Sequence, residues 1–222
     1  MRLSVLFLVA ISMALAGSVT IKSLVFPAQT STSYTELVPL RPLNVNAFTL
    51  CMRVATEDSS QRDMILFAYR TESTDELNVW REVGDWLSLY LTSSGDGVYF
   101  KVPVLGALET HLCVTWDASS GAVALFLNGR KSLFKIYRKG HVLQSGGRVI
   151  LGQDLDSMSG DFDASQSFVG EISDVNMWDS VLSASTIQDL YSGMRAPRGN
   201  IFDWETAVFD VYGQVEVVSR EL

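Results

Sequence analysis

The sequence contains few of the residues that catalytic centres commonly use. Among its 222 residues there are two histidines, two cysteines and five prolines. His111 lies in a strand-like segment beside Cys113, and His141 lies in a turn rich in lysine and glycine, so we interpret the first as structural and the second as exposed. A nucleophile elbow, a zinc-binding spacing and a phosphate-binding glycine loop are also missing from the sequence. We therefore expect a protein that is not an enzyme.

Basic charge is scarce as well. The chain has 17 Lys and Arg against 25 Asp and Glu, a formal net charge of −8. Its most basic stretch, RKSLFKIYRKGH at 130–141, is interrupted by apolar residues, so we interpret these cations as the solvated side of a strand. Binding to a nucleic-acid backbone needs a continuous basic surface. The composition therefore argues against a nucleic-acid partner.

One long apolar run is present, and it lies at the N-terminus. Arg2 precedes an apolar stretch that ends in Ala14-Leu15-Ala16, with small residues at the two positions that a signal peptidase reads. The stretch is too short to span a bilayer, so we predict a signal peptide at 1–16, cleavage after Ala16 and secretion. No later stretch of the sequence has the length and apolar character of a membrane span. Linker composition and internal repeats are absent, so 17–222, with a formal charge of −9, is one predicted domain.

The two cysteines are predicted to form one disulfide. In AFTLCMRV and HLCVTW the apolar residues share one face of each strand, and Cys51 and Cys113 take the other face. A bridge between neighbouring strands of one sheet requires this arrangement, and an oxidising compartment favours it. On the chain-entropy model, a bridge that closes a loop of about 60 residues is worth roughly 4 kcal/mol. Two free buried thiols are the alternative.

Most of the remaining pattern indicates strands. AVALFLNGRKSLFKI has an apolar run, an Asn128-Gly129 turn and a second run, which is typical of a hairpin. LSLYLTSSGDGVYFKV is a second strand-turn-strand pattern, and GGRVILG, QSFVGEI, DVNMW and GQVEVVS are further short strands. In LSASTIQDLYSG, Ser183 can cap an N-terminus and the apolar residues have helical spacing, which together predict a single short helix. The predicted fold is all-β, a two-sheet antiparallel jelly-roll (lectin-like) sandwich with one α-helix packed on one face.

One loop concentrates negative charge between two apolar runs. The segment ILGQDLDSMSGDFDASQSFVGEI at 150–172 contains these polar residues: Asp154, Asp156, Asp161, Asp163 and Gln166. Taken alone, such a loop is either solvated and holds nothing, or it is a cage for a cation.

Several segments together resemble one protein family. HLCVTW at 111–116 is similar to the pentraxin signature, His-x-Cys-x-Ser/Thr-Trp. The segments LVFP, SYTELVP, AFTLC, FKVP, VILGQ, SQSFVGEISDVNMWD and VLSASTIQDLYSG follow in the family's order. The chain thus resembles the short pentraxins, the family of C-reactive protein and serum amyloid P component, over its whole length. The resemblance implies a recognition protein of innate immunity and the acute-phase response.

The resemblance also implies that the acidic loop binds calcium. Calcium takes six to eight oxygen ligands, and pentraxins hold two ions with one loop and a second, distant segment, here TESTDELNVW. Carried over residue by residue, the first ion has these ligands: Asp75, Glu76, Asp154, the Leu155 carbonyl and Asp156. Asp154 and Asp156 bridge to a second ion, which Asp163 and Gln166 also hold. Asp161 matches no ligand position, so we expect it to be solvated.

The expected ligands carry phosphate or another anionic group. Open coordination positions on calcium favour anionic oxygens, so the resemblance implies phosphocholine, phosphoethanolamine, and anionic or microbial polysaccharides. At the position of the family's choline-contacting phenylalanine we place Arg81, and Asp96 is the candidate for the accompanying glutamate. Recognition of a quaternary ammonium requires an aromatic face or a carboxylate, and an arginine would repel it. The resemblance therefore supports the phosphate group more strongly than choline.

The resemblance further implies a homo-oligomer, usually a cyclic pentamer. Linked sites convert weak contacts into avidity. On the opposite face, the family engages complement proteins and Fc receptors, and Tyr191 matches a tyrosine used there for complement. Asn128 stands where a contributing aspartate would be, although its place in an Asn-Gly turn also gives it a structural role.

Two other functions occur on sandwiches of this kind. Glycoside hydrolases need two carboxylates at a fixed spacing across a cleft, and Asp154 and Asp156 resemble such a pair only superficially, because the Glu-x-Asp-x-x-Glu pattern is missing. A calcium-dependent lectin of another sandwich family, which would bind neutral glycans, is the second. Competition by phosphate esters but not by neutral hexoses would exclude that lectin.

Overall fold

The structure is a computed structural model that describes residues 20–92, 95–194 and 196–221. The predicted signal peptide at 1–16 and its cleavage site lie outside the described residues. The strands are β1 Thr20–Phe26, β2 Tyr34–Val38, β3 Ala47–Ala55, β4 Met64–Arg70, β5 Asp75–Glu82, β6 Trp86–Tyr90, β7 Val98–Lys101, β8 Thr110–Asp117, β9 Ala122–Leu127, β10 Arg130–Lys131, β11 Lys135–Ile136, β12 Arg148–Leu151, β13 Gly170–Trp178, β14 Val208–Tyr212 and β15 Glu216–Glu221. An α-helix, α1, spans Ala184–Tyr191, and a short 3₁₀ turn spans Ala164–Gln166.

The strands form two antiparallel sheets that pack face to face. Sheet A has the order β10–β9–β8–β3–β13–β1–β15, and β11 also pairs with β9. Sheet B has the order β14–β2–β12–β4–β5–β6–β7. This architecture confirms the predicted all-β sandwich of jelly-roll kind with a short helix on one face.

The core lies between the sheets because alternate residues of each strand point inward. Phe48 of β3 and Trp116 of β8 are fully buried there, with ring centroids 5.8 Å apart. By contrast, Met64–Tyr69 of β4 is buried on both faces of the strand. The outer face of sheet B must therefore be covered by another part of the chain.

The outer face of sheet A is covered by α1. Cys51 lies opposite Cys113 across β3 and β8, and the two cysteines form the predicted disulfide. Ile187, the buried residue of α1, packs beside it. Ser183 accepts a hydrogen bond from the Thr186 backbone N and so caps the helix as predicted.

One predicted turn is present, whereas two strands that the sequence predicts separately are joined into one. Asn128 and Gly129 have φ of 49° and 74°, the two positive values that a type I′ hairpin turn requires, and they join β9 to β10 as predicted. The two short strands expected from QSFVGEI and DVNMW form the single strand β13, with a bulge between Ser173 and Asn176. The bulge changes the phase of the alternation, which explains why the sequence pattern is interrupted there.

We expect the disulfide to contribute substantially to stability. It links residues 62 positions apart, so a double Cys51→Ala, Cys113→Ala variant should lose roughly 4 kcal/mol of unfolding free energy on the chain-entropy model. Urea denaturation with and without a reductant measures this difference. The double variant is its own control, because a reductant should destabilise only the natural sequence; equal sensitivity of both proteins would contradict the prediction.

Candidate metal centre and ligand-binding face

The acidic loop, residues 152–169 between β12 and β13, lies on the outer face of sheet B. An apolar cluster separate from the main core anchors it there: Ile65, Ala68, Ile150 and Leu155, with Tyr34, Trp80 and Phe162 packed against them. Leu155 is fully buried in this cluster. One apolar side chain thus fixes the loop between Asp154 and Asp156, which explains why β4 is buried on both faces.

Carboxylates from two distant segments meet at this loop. Burial, followed by the charges of Asp75 and Asp156, raises the pKa of Asp154 to about 7. Burial and Asp75 also raise the pKa of Asp156, and the carboxylates of Asp163 and Asp161 add to that effect. The structure thus brings Asp75 of β5 to the acidic loop, as the sequence analysis expected. Three crowded carboxylates repel one another unless a cation lies among them.

Arg70 offsets part of this charge. Its Nη1 donates a hydrogen bond to Asp75 Oδ1, and its positive charge lowers the pKa of both Asp154 and Asp156. A single guanidinium leaves the cluster negative, so the cluster still favours a divalent cation.

Two amide oxygens complete a donor set that suits calcium. Asn78 Oδ1 and Gln166 Oε1 are buried and have no hydrogen-bond partner among the described residues, although buried acceptors ordinarily have one. The Asn78 amide nitrogen lies 2.9 Å from Asp154 Oδ1, and Gln166 lines the same cavity as Asp75. Carboxylate and amide oxygens together are the ligands that calcium takes. The residues present therefore fit the ion that the resemblance implies.

The structure does not bring Glu76 to this cluster, which corrects the expected ligand set. Glu76 is buried, and its Oε2 accepts a hydrogen bond from the Gln144 backbone N at 3.0 Å and lies 3.2 Å from His141 Nε2. The cause is a bulge that pairs Arg70 with Asp75 and Tyr69 with residue 77, leaving Glu76 unpaired in the ladder. His141, expected to be exposed, is half-buried, between this contact with Glu76 and the Trp116 ring at 6.1 Å.

Asp163 and Asp161 are both exposed at the outer end of the loop. Asp163 Oδ1 accepts a hydrogen bond from the Ser165 backbone N at 2.8 Å, which lowers the pKa of Asp163 and caps the 3₁₀ turn that carries Gln166. Asp161 has a φ of 53°, a left-handed conformation that aspartate tolerates better than most residues.

A cavity of about 610 Å³ opens beside Asp75, the one of the three clustered carboxylates that lines it. Asn78, Trp80 and Glu82 line it because alternate residues of β5 share the outer face of sheet B. Tyr90 of β6 and Gln166 also line it. The cavity thus combines the candidate metal ligands with an aromatic ring and a carboxylate that the sequence analysis did not single out.

Glu82 is held in the wall of this cavity by hydroxyl groups. Its Oε1 accepts hydrogen bonds from Ser88 Oγ at 2.6 Å and from the Tyr90 hydroxyl at 3.0 Å. Burial raises the pKa of Glu82, and the neighbouring Asp63 carboxyl raises it too, while the two hydroxyls act in the opposite direction. The carboxyl groups of Glu82 and Asp63 are therefore neighbours in the part of the cavity away from Asp75.

Arg81 is on the other face of β5, which corrects the expectation that it lines the ligand site. It is 8% exposed, and its Nη1 donates to the carbonyl oxygens of Ser60 and Arg62 at 3.3 and 3.1 Å. Trp80, one residue earlier, faces the cavity instead. The cavity therefore contains an aromatic ring where the sequence analysis placed a cation.

Asp96 is exposed and is not among the residues that line the cavity. Its Oδ1 accepts a hydrogen bond from Arg138 Nη2 at 2.7 Å. Glu82, from β5, is the acidic side chain that lies next to Trp80 along the cavity wall. Glu82, rather than Asp96, is therefore the carboxylate that accompanies the aromatic ring in the cavity.

Tyr191 lies on the opposite side of the sandwich from the acidic loop. It is the last residue of α1, is partly exposed, and has its ring 6.0 Å from that of His111. Asn128 Oδ1 accepts a hydrogen bond from the His111 backbone N at 2.9 Å, which gives Asn128 the structural role that its turn position suggested.

His111 is a buried strand residue, as expected. Burial, with a smaller contribution from the Arg53 charge, lowers its pKa to about 4, so the imidazole is neutral at physiological pH. His111 lies next to Cys51 and Cys113, but both sulfurs belong to the disulfide, so no thiolate is present to bind a metal there.

Known proteins provide an independent comparison. A family model described as "Pentaxin family" matches residues 22–219. The chain belongs to the pentraxin family. Pentraxins similar to it include the C-reactive protein of Danio rerio, 51% identical over 199 residues that cover 89% of this chain and 88% of the relative. Human C-reactive protein is 35% identical, covering 87% and 86% of the two chains, and rat serum amyloid P-component is 36% identical, covering 90% and 86%.

A solved pentraxin has the same fold. The native heptameric SAP-like pentraxin from Limulus polyphemus matches with a TM-score of 0.79 and 23% identity, covering 90% of this chain and 95% of that one. Among the residues described for this pentraxin, no helix has the length and apolar character needed to cross a membrane.

The raised pKa of Asp154 predicts an unusual pH dependence for this pentraxin in the presence of a chelator. The folded protein retains the Asp154 proton up to about pH 7, whereas the unfolded chain loses it near the ordinary value of 3.8. Stability from this group is fully present below the lower value and is lost as pH rises to the higher one, with a slope of up to about 1.4 kcal/mol per pH unit.

Urea denaturation between pH 4 and 8 in excess chelator measures this slope, with Asp154→Asn as the matched control. The neutral amide should flatten the slope, leaving the smaller contribution of Asp156. An unchanged slope in the variant would show that Asp154 does not hold the proton.

Proposed function

We propose that this pentraxin is a secreted, calcium-dependent pattern-recognition protein of innate immunity that binds phosphate-bearing ligands. The observation that supports this most directly is that three carboxylates, which repel one another, lie near two buried amide oxygens that have no hydrogen-bond partner among the described residues. The adjoining cavity is lined by an aromatic ring and by acidic side chains. Such a cluster gains stability by binding a divalent cation and can then present that cation to a ligand.

The proposed site holds two calcium ions per chain. The ligands assigned to the first ion are Asp75, Asn78, Asp154, the Leu155 carbonyl and Asp156, with Asn78 in place of Glu76. Asp154 and Asp156, together with Asp163 and Gln166, would hold the second ion. Four carboxylates, from residues 75, 154, 156 and 163, balance the charge of two calcium ions. When bound, the ions supply electrostatic attraction for anionic oxygens.

The cavity beside the ions suits a cationic group attached to phosphate. Trp80 offers an aromatic face and Glu82 a carboxylate, the two features that recognise an ammonium or quaternary ammonium group. Trp80 rather than Arg81 lines the cavity. Arg62 lines it too, but its guanidinium is paired with Asp58 and donates to the Ser167 carbonyl, so choline is no longer disfavoured. We therefore propose phosphocholine and phosphoethanolamine as ligands, together with anionic microbial polysaccharides.

We also propose that the chain acts as a homo-oligomeric ring. The relative from Limulus polyphemus is described as heptameric, and a ring would let several weak sites bind one surface with avidity. The calcium cluster lies on the outer side of sheet B, whereas α1 and Tyr191 lie on the outer side of sheet A. Complement proteins and Fc receptors could thus bind through Tyr191 and its surroundings while the calcium face holds a target.

We expect the purified protein to bind phosphocholine beads in millimolar calcium and to elute with a chelator. Trp80→Ala should weaken phosphocholine binding by about tenfold or more, because the ammonium loses its aromatic face. Arg81→Gln should leave binding unchanged, since Arg81 lies on the other face of β5. Isothermal titration with phosphocholine and phosphoethanolamine gives both affinities.

Equal retention in chelator and in calcium would contradict calcium-dependent recognition. Competition by neutral hexoses as strong as that by phosphate esters would point instead to a lectin for neutral glycans. A loss of binding in Arg81→Gln but not in Trp80→Ala would restore Arg81 as the ligand-contacting residue.

The assignment of Asn78 as a calcium ligand can be tested against Glu76. Asn78→Leu keeps a side chain of similar size but removes the amide oxygen, so it should weaken calcium binding by about tenfold or more. Glu76→Gln should retain both calcium ions, because Glu76 bonds to Gln144 and His141 instead. Calorimetric titration of calcium into the decalcified proteins measures this, and a loss of calcium only in Glu76→Gln would reverse the assignment.

A further inference from the structure

A second hollow adjoins the ligand cavity on the outer face of sheet B. Its volume is about 280 Å³, and it is lined by these residues: Asp63, Glu82, Val83, Trp86 and Tyr99. The first three also line the larger cavity. The two spaces therefore share one wall, and a ligand anchored at the calcium cluster can extend from one into the other.

Strand pairing arranges the side chains along this face in order. On β5, Asn78 lies beside the carboxylates, followed by Trp80 and then Glu82, and Glu82 is paired with Trp86 of β6. Tyr99 of β7 is paired with Ser88 of β6. Because the serine between them is small, Trp80 and Tyr99 border a depression in the sheet surface rather than a ridge.

The two aromatic rings of the second hollow are exposed and yet fixed in place. Trp86 and Tyr99 are 38% and 36% exposed. The Lys101 ammonium lies 5.6 Å from the Trp86 ring centroid, and the Tyr99 ring meets the Tyr90 ring edge-on at 5.9 Å. Rings held in this way need little reordering when a ligand binds, which favours affinity.

The chemistry of the hollow favours a sugar ring over the other groups that a phosphorylated ligand could carry. Asp63 and Glu82 would repel a second phosphate, and a hydrocarbon chain would take water away from both carboxylates without giving them new hydrogen bonds in return. A pyranose matches both features, because its C–H faces pack on aromatic rings and its hydroxyl or amino groups donate to carboxylates. An amino sugar fits best, since its ammonium also finds two acidic partners.

We propose that Trp86 and Tyr99 form a second subsite that binds the next sugar unit of a glycan whose phosphorylated unit is held at the calcium site. The preferred ligand is then a phosphorylated oligosaccharide of amino sugars rather than an isolated phosphate ester. This inference rests on the proposed calcium-dependent function and specifies its ligand class.

The experiment compares two ligands in millimolar calcium by isothermal titration. One is glucosamine 6-phosphate, and the other is the β1,4-linked glucosamine disaccharide with the same phosphate on its terminal unit. The natural protein should bind the disaccharide about tenfold more tightly. Trp86→Ala and Tyr99→Ala should remove that gain and leave the affinity for the monosaccharide unchanged.

Three variants control for indirect effects. Tyr99→Phe keeps the ring and should keep the gain, as should Leu108→Ala, which changes a highly exposed apolar residue outside both cavities. Phosphocholine binding should persist in Trp86→Ala, which establishes that this variant folds.

The outcomes separate the subsite from the function on which it rests. Equal affinity of the natural protein for both ligands, or a gain that survives in Trp86→Ala and Tyr99→Ala, overturns the second subsite while phosphocholine binding upholds the calcium site. Absence of any calcium-dependent binding, phosphocholine included, overturns the proposed function and the subsite with it.

Discussion

Repulsion among Asp75, Asp154 and Asp156 is the constraint on which the rest of this structure depends. Like charges would move apart in a free loop. Burial, followed by the charges of Asp75 and Asp156, raises the pKa of Asp154 to about 7, which reflects the cost of ionising this carboxyl where the fold holds it. Burial of Leu155 on the outer face of sheet B prevents that movement. Apolar packing thus supplies free energy that keeps the cluster assembled without a cation, and Arg70 reduces the repulsion only in part.

The sandwich has an additional layer on each of its outer faces. On sheet B the acidic loop covers β4 and β12, and on sheet A the helix α1 covers the Cys51–Cys113 disulfide. The core separates the two layers. The proposed ligand at the acidic loop and the proposed protein partner at Tyr191 would therefore bind to different sheets of the sandwich, without competing for the same surface.

The alternation of apolar and polar residues predicted which face of the sheet many side chains occupy. An irregularity of the backbone explains why Glu76 was placed on the wrong face. Alternation placed Cys51 and Cys113 on one face, and Asn128-Gly129 specified its turn. The same alternation in DELNVWRE puts Trp80, not Arg81, on the outer face, so this position could have been read from the sequence. Glu76 could not, because a bulge in β5 has no signature in the side chains, and Glu76 enters the interior beside His141.

The corrected strand also changes what the site can recognise. With Arg81 on the cavity wall, positive charge would follow the calcium ions along the face, and only anions would fit. With Asn78, Trp80 and Glu82 on that wall instead, the proposed calcium ions would be followed by an aromatic ring and a carboxylate, and the rings of Trp86 and Tyr99 come next. A ligand complementary to this order is negative at one end, positive in the middle and rich in C–H surface beyond. Such a sequence of groups describes a phosphorylated amino-sugar chain better than it describes any small anion. The difference depends on which residue of β5, Trp80 or Arg81, faces the cavity.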